Sequence, residues 1–441
     1  MKKLRVLLIT RECLRTDSNE GNVLLSLFQG QPMEFANIYC KSGAPNTDLC
    51  SASFQLTDRM ALDKLLHRTP MGRVVEPQTT ASDAPAAQED KAFYDFFRKH
   101  NLTVFFCVQE LLWRLADFRG PRLEAFVRDF APDVVFAPLC YSRFVLAVQR
   151  YAIGLTGVPA VTYLYDDLYS LKQFRFSPLY WLNRFAQRRA IRKTLPCYRF
   201  AYTMTRQQAE EYGKMLTIPM RVLRKCAVPP SPEETGEPHE DIRLLYAGGV
   251  YYGRDKTLGQ IADAVRKLRA EGQPVTLDVY TASPLNKRAK SRLDDGDGCR
   301  VHPAVSLAEL QRLYRRSDVA LHVESFEKKY ALVTRLSFST KIVDCLASGC
   351  AVLAVCPAMN AGWQYLRDED AAVCVDDPRN VEAAVRKLVC QPELRHTYGE
   401  KALKCLRENH DAGRIRSELL RDLTALAGGA AGHGGEMGAG E

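Results

Sequence analysis

Apolar positions along the chain alternate between short continuous runs and one-sided helical spacing. This is the pattern expected of an α/β protein with parallel sheets. Leu4–Ile9 reads as a buried strand, and after a polar loop Val23, Leu24, Leu27 and Phe28 begin a helix. Asp133–Pro138 and Ala160–Tyr165 are predicted strands, and Thr205 is placed to cap the segment that closes this half at Tyr212. Phe93–Phe118 is a long apolar and aromatic segment expected to be helical, packed in the core or set against a membrane. Residues 68–90, rich in Pro, Thr, Ala and charge, read as a surface loop.

The second half repeats the alternation. Strand Ile242–Tyr246 runs into Ala247-Gly248-Gly249, and a helix then carries Leu258, Ile261, Ala262, Val265 and Leu268 on one face. Val275–Tyr280, Val319–Val323 and Ala371–Val375 read as further strands. Ser306 and Glu309 form a capping box ahead of Leu310, Leu313 and Tyr314, and Val381, Val385 and Leu388 mark another helix. The proline- and acid-rich stretch 229–241 has the composition of a linker. The expected organisation is a first domain over 1–228, a second over 242–405, a C-terminal helix over 406–426 and a Gly/Ala-rich disordered tail over 427–441.

A length of 441 residues also favours two domains. With 46% hydrophobic and 26% charged residues, the composition is that of a globular chain rather than a disordered or membrane-spanning one. The apolar part of MKKLRVLLITRE is too short for a signal-peptide core and reads as the first strand. Fourteen cysteines without a CxxC spacing suggest reduced, buried thiols and a cytoplasmic location.

Net charge is +9 and unevenly distributed. Residues 168–209 hold Lys172, Arg175, Arg184, Arg188, Arg189, Arg192, Lys193, Arg199 and Arg206 without one acidic residue, interleaved with Phe174, Phe176, Tyr180, Trp181 and Phe185. Such a stretch is either a solvated helix face or a surface for anionic lipid headgroups at the inner membrane. Nucleic acid is the weakest of the three readings, because charge alone supports it and no recognition motif accompanies it.

The most informative stretch is STKIVDCLASGCAVLAV, residues 339–355. Ile342, Val343, Leu346 and Ala347 fall at helical spacing, Gly349 suits a left-handed helix terminus, and Ala351–Val355 is a buried-strand run. Ser339, Thr340 and Lys341 open the helix, where unpaired N–H groups and the dipole favour an anion. Asp344, one turn in, can accept hydroxyl hydrogen bonds. The same residues also suit an ordinary αβ unit with polar caps.

Three stretches, LLYAGGVYYGRDKTL (244–258), SLAELQRLYRRSDVALHVESF (306–326) and STKIVDCLASGCAVLAV, stand in the order and spacing of the nucleotide-binding domain of GT-B glycosyltransferases. The chain resembles most closely glycosyltransferase family 4 of bacterial polysaccharide biosynthesis. The resemblance covers most of 242–390; the first half shares only the βα pattern. It implies two Rossmann-like domains with parallel sheets facing a cleft, a nucleoside-diphosphate-sugar donor (UDP-sugar favoured), and a glycan or lipid-linked acceptor. Retention of configuration is implied too, with neither a cofactor nor a metal.

Carried onto this sequence, the resemblance implies that Gly248 and Gly249 let the backbone approach the donor and that Arg254 and Lys256 stabilise the leaving diphosphate. It places Asp344 on the ribose, where most members have Glu, and Leu336 where many carry a second acid. Glu324 and Ser325 either hold the donor or serve the fold, and His302 falls where the family's loop meets the nucleobase. In the first domain, Gly21 is expected near a donor phosphate or the acceptor. Asp166 and Asp167 follow a strand at the ligand-binding edge of an open sheet, where a carboxylate either receives the acceptor proton or caps the next segment. A catalytically silent GT-B partner subunit is the alternative to an enzyme. Residues 294–298 (DDGDG) resemble half a calcium loop, but Val305 stands where the bidentate Glu would be, so they read as a turn.

Overall fold

The computed structural model describes residues 3–75, 102–229 and 240–431, which form two compact units. The first contains β1 (Leu4–Thr10), α1 (Asn19–Phe28), β2 (Met33–Tyr39), β3 (Cys50–Gln55), α2 (Asp58–His67), β4 (Arg73–Val75), α3 (Leu102–Ala116), α4 (Pro121–Phe130) and β5 (Val134–Phe136). It continues with α5 (Arg143–Thr156), β6 (Ala160–Leu164), α6 (Pro178–Thr194), β7 (Ala201–Thr203), α7 (Arg206–Met215) and β8 (Met220–Val222). The second contains β9 (Ile242–Ala247), α8 (Arg254–Ala270), β10 (Val275–Thr281), α9 (Lys287–Leu293), β11 (Cys299–Pro303), α10 (Leu307–Arg315), β12 (Val319–Val323) and α11 (Lys328–Thr334). Then follow α12 (Lys341–Ala347), β13 (Ala351–Val355), α13 (Ala361–Asp368), β14 (Val373–Val375), α14 (Val381–Cys390) and α15 (Pro392–Asn409). The last helix, α16 (Ala412–Ala431), returns to the first unit.

Each unit is a doubly wound α/β sheet. The first runs β4-β3-β2-β1-β5-β6-β7-β8, parallel except for the β3–β4 edge; the second runs β11-β10-β9-β12-β13-β14, parallel throughout. The winding reverses between β1 and β5 in one sheet and between β9 and β12 in the other. Ligands of open sheets settle at the carboxyl ends of strands beside such a reversal.

The expected elements form, and their caps are the predicted ones: the side chains of Thr205 and Ser306 accept from the N–H groups of Gln208 and Glu309, at 3.1 and 3.2 Å. Gly349 has φ 76°, so the turn between α12 and β13 needs the left-handed conformation glycine tolerates. Between Asp294 and Cys299 the Asp295 carboxylate accepts the N–H groups of Asp297 and Cys299 and meets Arg266; the run is a turn, as expected.

The unit boundaries differ from those expected. The main stretch of the first unit ends at Leu223, with Lys172–Phe174 joining the second unit and the chain from Gly413 rejoining the first. The chain after residue 405 is not one helix. α15 and α16 are separated at His410, which is fully buried and hydrogen-bonded to the Tyr365 hydroxyl at 2.8 Å and the Lys225 carbonyl at 2.7 Å. α16 packs on the first unit because Ile415, Leu419 and Leu423 share one buried face. Asp422 also accepts from Tyr202 and Arg221 at 2.7 and 2.9 Å. The expected tail therefore begins inside a helix, with residues 427–431 helical; its remainder, 432–441, lies outside the described residues. So do 76–90 of the surface loop, 93–101 of the long apolar segment and 230–239 of the linker, while 73–75 of that loop form β4.

Candidate functional site

The winding reversal of the second unit gathers the strongest candidates. β9 runs into Gly248, whose φ of 145° lies in the glycine-favoured region. A Cβ placed there would fall 1.6 Å from the Lys341 ammonium, so that cation lies directly against the glycine backbone. At Gly249 a Cβ would meet the Tyr251 ring at 2.1 Å. β12 runs into buried Glu324, whose two carboxylate oxygens accept from Arg254 at 2.7 and 3.0 Å. The Glu324 carbonyl accepts from the Thr257 hydroxyl at 3.0 Å, tying the α8 start to the end of β12.

Arg254 and Lys341 are therefore the cations of this site. Burial first, and the Arg254 charge second, pull the Lys341 ammonium down to about 8. Its Nζ lies 5.2 Å from the Tyr246 ring centroid and, among the described residues, has no hydrogen-bonded or ion-paired partner. Burial also drives His322 down to about 3, with Arg254 and Lys341 adding to the shift, so the neighbouring imidazole is neutral.

The expected Arg254–Lys256 pair does not assemble. Positions i and i+2 of a helix point to different faces; Lys256 is exposed and paired with Glu327, while Arg254 turns inward. The helix-terminus argument for Ser339, Thr340 and Lys341 also changes. α12 starts with tight bonds from the Ile342 N–H to the Ser339 carbonyl (3.0 Å) and from Val343 to Thr340 (3.2 Å), which consume N–H groups expected to face an anion. Ser339 and Thr340 make no side-chain cap. The Lys341 side chain remains.

Asp344 stands one helical turn into α12, as expected, with one oxygen held by the buried Lys225 ammonium at 2.8 Å and the other without a partner among the described residues. Lys225, which also reaches the Thr340 carbonyl at 3.4 Å, was not legible as a site residue. Leu336 is fully buried, so the position of the family's second acid is a core position in this chain. Ser325 accepts the Glu327 N–H at 3.2 Å. His302 is not in a loop: it sits on the edge strand β11, stacked on Tyr280 at 4.5 Å and hydrogen-bonded to Asp278 at 2.6 Å. It remains at the carboxyl edge of the same sheet.

In the first unit, Gly21 and Asp167 serve the fold. A Cβ on Gly21 would lie 2.1 Å from the Arg15 carbonyl oxygen, and its N–H bonds the capping Ser18 hydroxyl, so the chain approaches itself there rather than a ligand. Asp167 is buried, paired with buried Arg184 at 3.3 Å, and accepts from the Ser170 N–H at 2.8 Å and the Ser170 hydroxyl. Asp166 is exposed, and its carbonyl accepts from the Tyr212 hydroxyl at 2.7 Å.

A carboxylate that sequence reasoning missed lies at the β1/β5 reversal. Glu20, in the first turn of α1, is raised to about 7 by burial and then by the Glu12 carboxylate. Around this reversal Glu12 pairs with Lys41 at 2.6 Å, and Arg11 lies 4.4 Å over the Tyr141 ring. The Tyr165 hydroxyl, also in the field of Glu20, is buried without a hydrogen-bond partner among the described residues. Nothing in the local sequence marks Glu20, because its environment is assembled from separate strand ends.

Residues 262–421 match the family model described as glycosyl transferase-like. No curated protein sequence matches the chain. Among solved structures, α,α-trehalose 6-phosphate synthase from Burkholderia multivorans is similar over 100% of each chain at 13% identity and a TM-score of 0.59. The α,α-trehalose-phosphate synthase (UDP-forming) from Burkholderia vietnamiensis is similar over 97% of this chain and 100% of its own, at 12% identity and 0.61. Anabaena Alr3699/HepE, in complex with UDP and glucose, is similar over 96% and 100%, at 9% identity and 0.59. At such identities the likeness is one of fold. The architecture is that of GT-B glycosyltransferases, two Rossmann-like units with parallel sheets. The family-model match covers most of the second unit.

Proposed function

We propose that the protein transfers a sugar from a nucleoside-diphosphate-sugar, a UDP-sugar in first place, to a glycan or lipid-linked oligosaccharide, with retention and without a metal. The observation that carries this reading is the Lys341 ammonium, held against the Gly248 backbone beside Arg254 and, among the described residues, without an ion-paired anion. A buried cation without a counter-ion is costly unless a ligand supplies one. A diphosphate does so, and its leaving charge in the transition state is what such a cation stabilises. UDP in the structure of Anabaena HepE supports uridine as the base to test first. Asp344 is assigned to the ribose through its unpartnered oxygen, Gly249 to close backbone approach, and His302 to the edge where the base lies. In the first unit, Asp166 and Glu20 are the carboxylates assigned to the acceptor hydroxyl. Family 4 membership, a cytoplasmic location and association with the inner membrane face belong to the same proposal.

The test is thermal unfolding with UDP, GDP and ADP, for wild type and Lys341→Met, followed by turnover of UDP-sugars with and without EDTA. A ligand at about 100 times its Kd adds about 2.7 kcal/mol of stability. A shift with one nucleotide that Lys341→Met abolishes supports the donor site. Equal shifts in both proteins would remove Lys341 from it. A second reading, a catalytically silent partner subunit, is favoured by one observation: Glu324 already neutralises Arg254. Nucleotide binding without hydrolysis or transfer of any UDP-sugar would select it.

A further inference from the structure

α3 and α6 pack against each other in the first unit, and both leave an apolar stripe in solvent. On α3, Val104, Val108, Leu111 and Leu115 recur at intervals of four, three and four residues and are each between 45% and 60% exposed. The opposite face is the one that packs: Phe105, Gln109 and Trp113 are buried, and the last two donate to Asp58. On α6, Leu179, Leu182 and Phe185 are exposed along one side, continued by Arg189 and Lys193 toward the C-terminus. Phe176, just ahead of the helix, is 86% exposed. Soluble surfaces seldom expose such continuous aliphatic stripes without using them.

Beside the stripes lies a groove of about 800 Å³ between α3 and α5, reached by the end of α6. Its charged lining is Arg114, Arg119, Arg143, Arg150 and Lys193 against Glu110 and Asp117. The two carboxylates are taken: Glu110 by Arg143 at 3.5 Å and Asp117 by Arg119 at 2.6 Å. Among the described residues, Arg114, Arg150 and Lys193 have no carboxylate partner; Arg150 reaches only the Thr194 hydroxyl, at 2.6 Å. Leu111 belongs to both the stripe and the groove.

We infer that this face docks the first unit on an anionic bilayer surface, with the α3 and α6 stripes entering the acyl boundary and the α3–α5 groove receiving a lipid headgroup phosphate. Aliphatic residues flanked by uncompensated cations fit an interface that is apolar below and phosphate-bearing above. Single-stranded nucleic acid would want a cationic track with stacking rings, and the front of α3 is aliphatic. Among the described residues, no helix is long and apolar enough to cross a membrane, so the contact is a surface one. The inference deepens the lipid-linked side of the proposed acceptor, yet its test requires neither nucleotide nor turnover.

The full-length protein is sedimented with phosphatidylcholine vesicles, with and without about 30% phosphatidylglycerol, at low and physiological salt. Wild type is compared with Leu111→Ser/Leu182→Ser and with Arg114→Gln/Lys193→Gln, all at exposed positions outside the donor site. The expected result is binding to the anionic vesicles only, reduced about tenfold or more in each double variant and weakened by salt. UDP-dependent thermal shifts should be unchanged in the variants, separating failure here from failure of the donor reading. Two outcomes would overturn the proposal: absence of wild-type binding, or equal binding by all three proteins. A dimer in sedimentation velocity that Leu111→Ser/Leu182→Ser dissolves, without vesicle binding, would assign the face to a second copy of the chain.

Discussion

Glu324 grips Arg254 with both carboxylate oxygens, at 2.7 and 3.0 Å, and both side chains are nearly inaccessible to water. The pair joins the end of β12 to the start of α8 at the winding reversal, so it fixes the floor on which Gly248 and Lys341 meet. Breaking a buried pair from one side leaves an uncompensated charge, at a cost of about 3–5 kcal/mol. Glu324→Gln is expected to lose a large part of that in urea unfolding without ligand. If the site takes a diphosphate, the anion replaces the missing charge, and saturating UDP should restore more stability to Glu324→Gln than it adds to wild type. Equal increments in the two proteins would place the anion elsewhere.

Lys341 titrates where experiment can follow it. Its free-protein value of about 8 lies below the ordinary lysine value of 10.5 because burial and Arg254 disfavour the charged form. An anion bound to the ammonium raises that value again. UDP affinity is therefore full below about pH 8 and falls as pH rises above it, until the value in the complex is reached. Lys341→Met should flatten the limb and weaken binding by about 1.5–3 kcal/mol, the range for a charge-assisted hydrogen bond. In the ligand-free protein the same substitution should cost little stability, since it removes a desolvated cation. Calorimetric titration across pH 6–9.5, about the range needed to bracket this value, checks both statements. A wild-type profile without a limb would disconnect Lys341 from the ligand.

Gly248→Ala separates space from charge. The residue sits at φ 145°, and the added methyl would overlap the Lys341 ammonium. The lysine tip can swing aside, so the clash itself is cheap; the backbone strain is about 1–3 kcal/mol. The ligand should suffer more than the fold, because the displaced ammonium leaves the backbone it lies against. Gly248→Ala is expected to lose nucleotide-dependent stabilisation while retaining a cooperative unfolding transition. Wild-type UDP affinity in this variant would show that the contact of Lys341 with Gly248 is incidental.

The fold was legible because both sheets are built from buried parallel strands, whose runs of Val, Leu, Ile and Ala need no partner to be recognised. Ile242–Ala247, Val319–Val323 and Ala351–Val355 are of this kind. β2, with Glu34 exposed and Asn37 buried, and the three-residue β8 lack such runs and were not foreseen. Nor was the return of α16, which depends on the distant partners of Asp422. The second-unit site was partly legible: Gly248, Arg254, Glu324, Lys341 and Asp344 do lie on strand ends and helix starts of one sheet edge. Their pairing was not, because a guanidinium answers to whichever carboxylate the fold brings nearest. Arg254 thus belongs with Glu324 and beside Lys341 rather than Lys256, and Asp344 shares its charge with Lys225. Asp167 shows the same limit in reverse, since its partner Arg184 lies in the very stretch whose arginines suggested a surface.

Glu20 offers the complementary test in the first unit. Burial and the Glu12 carboxylate raise it from 4.5 to about 7, so the folded protein resists its ionisation. The protonated form contributes stability that is fully present below pH 4.5 and is lost as pH rises to about 7. Glu20→Gln removes that dependence. Relative to wild type, the variant should gain about 1–3 kcal/mol at pH 8 and nothing near pH 4.5. If Glu20 also receives the acceptor proton, transfer should rise with an apparent value near 7 in wild type and fall by about 10²–10⁴-fold in Glu20→Gln, the range for general acid–base catalysis. UDP binding by the second unit should be unaffected. Denaturant titrations at the two pH values read the first effect and initial rates the second. A stability gain with undiminished transfer would make Glu20 a burden of the fold rather than a base, and would leave Asp166 as the carboxylate to mutate next.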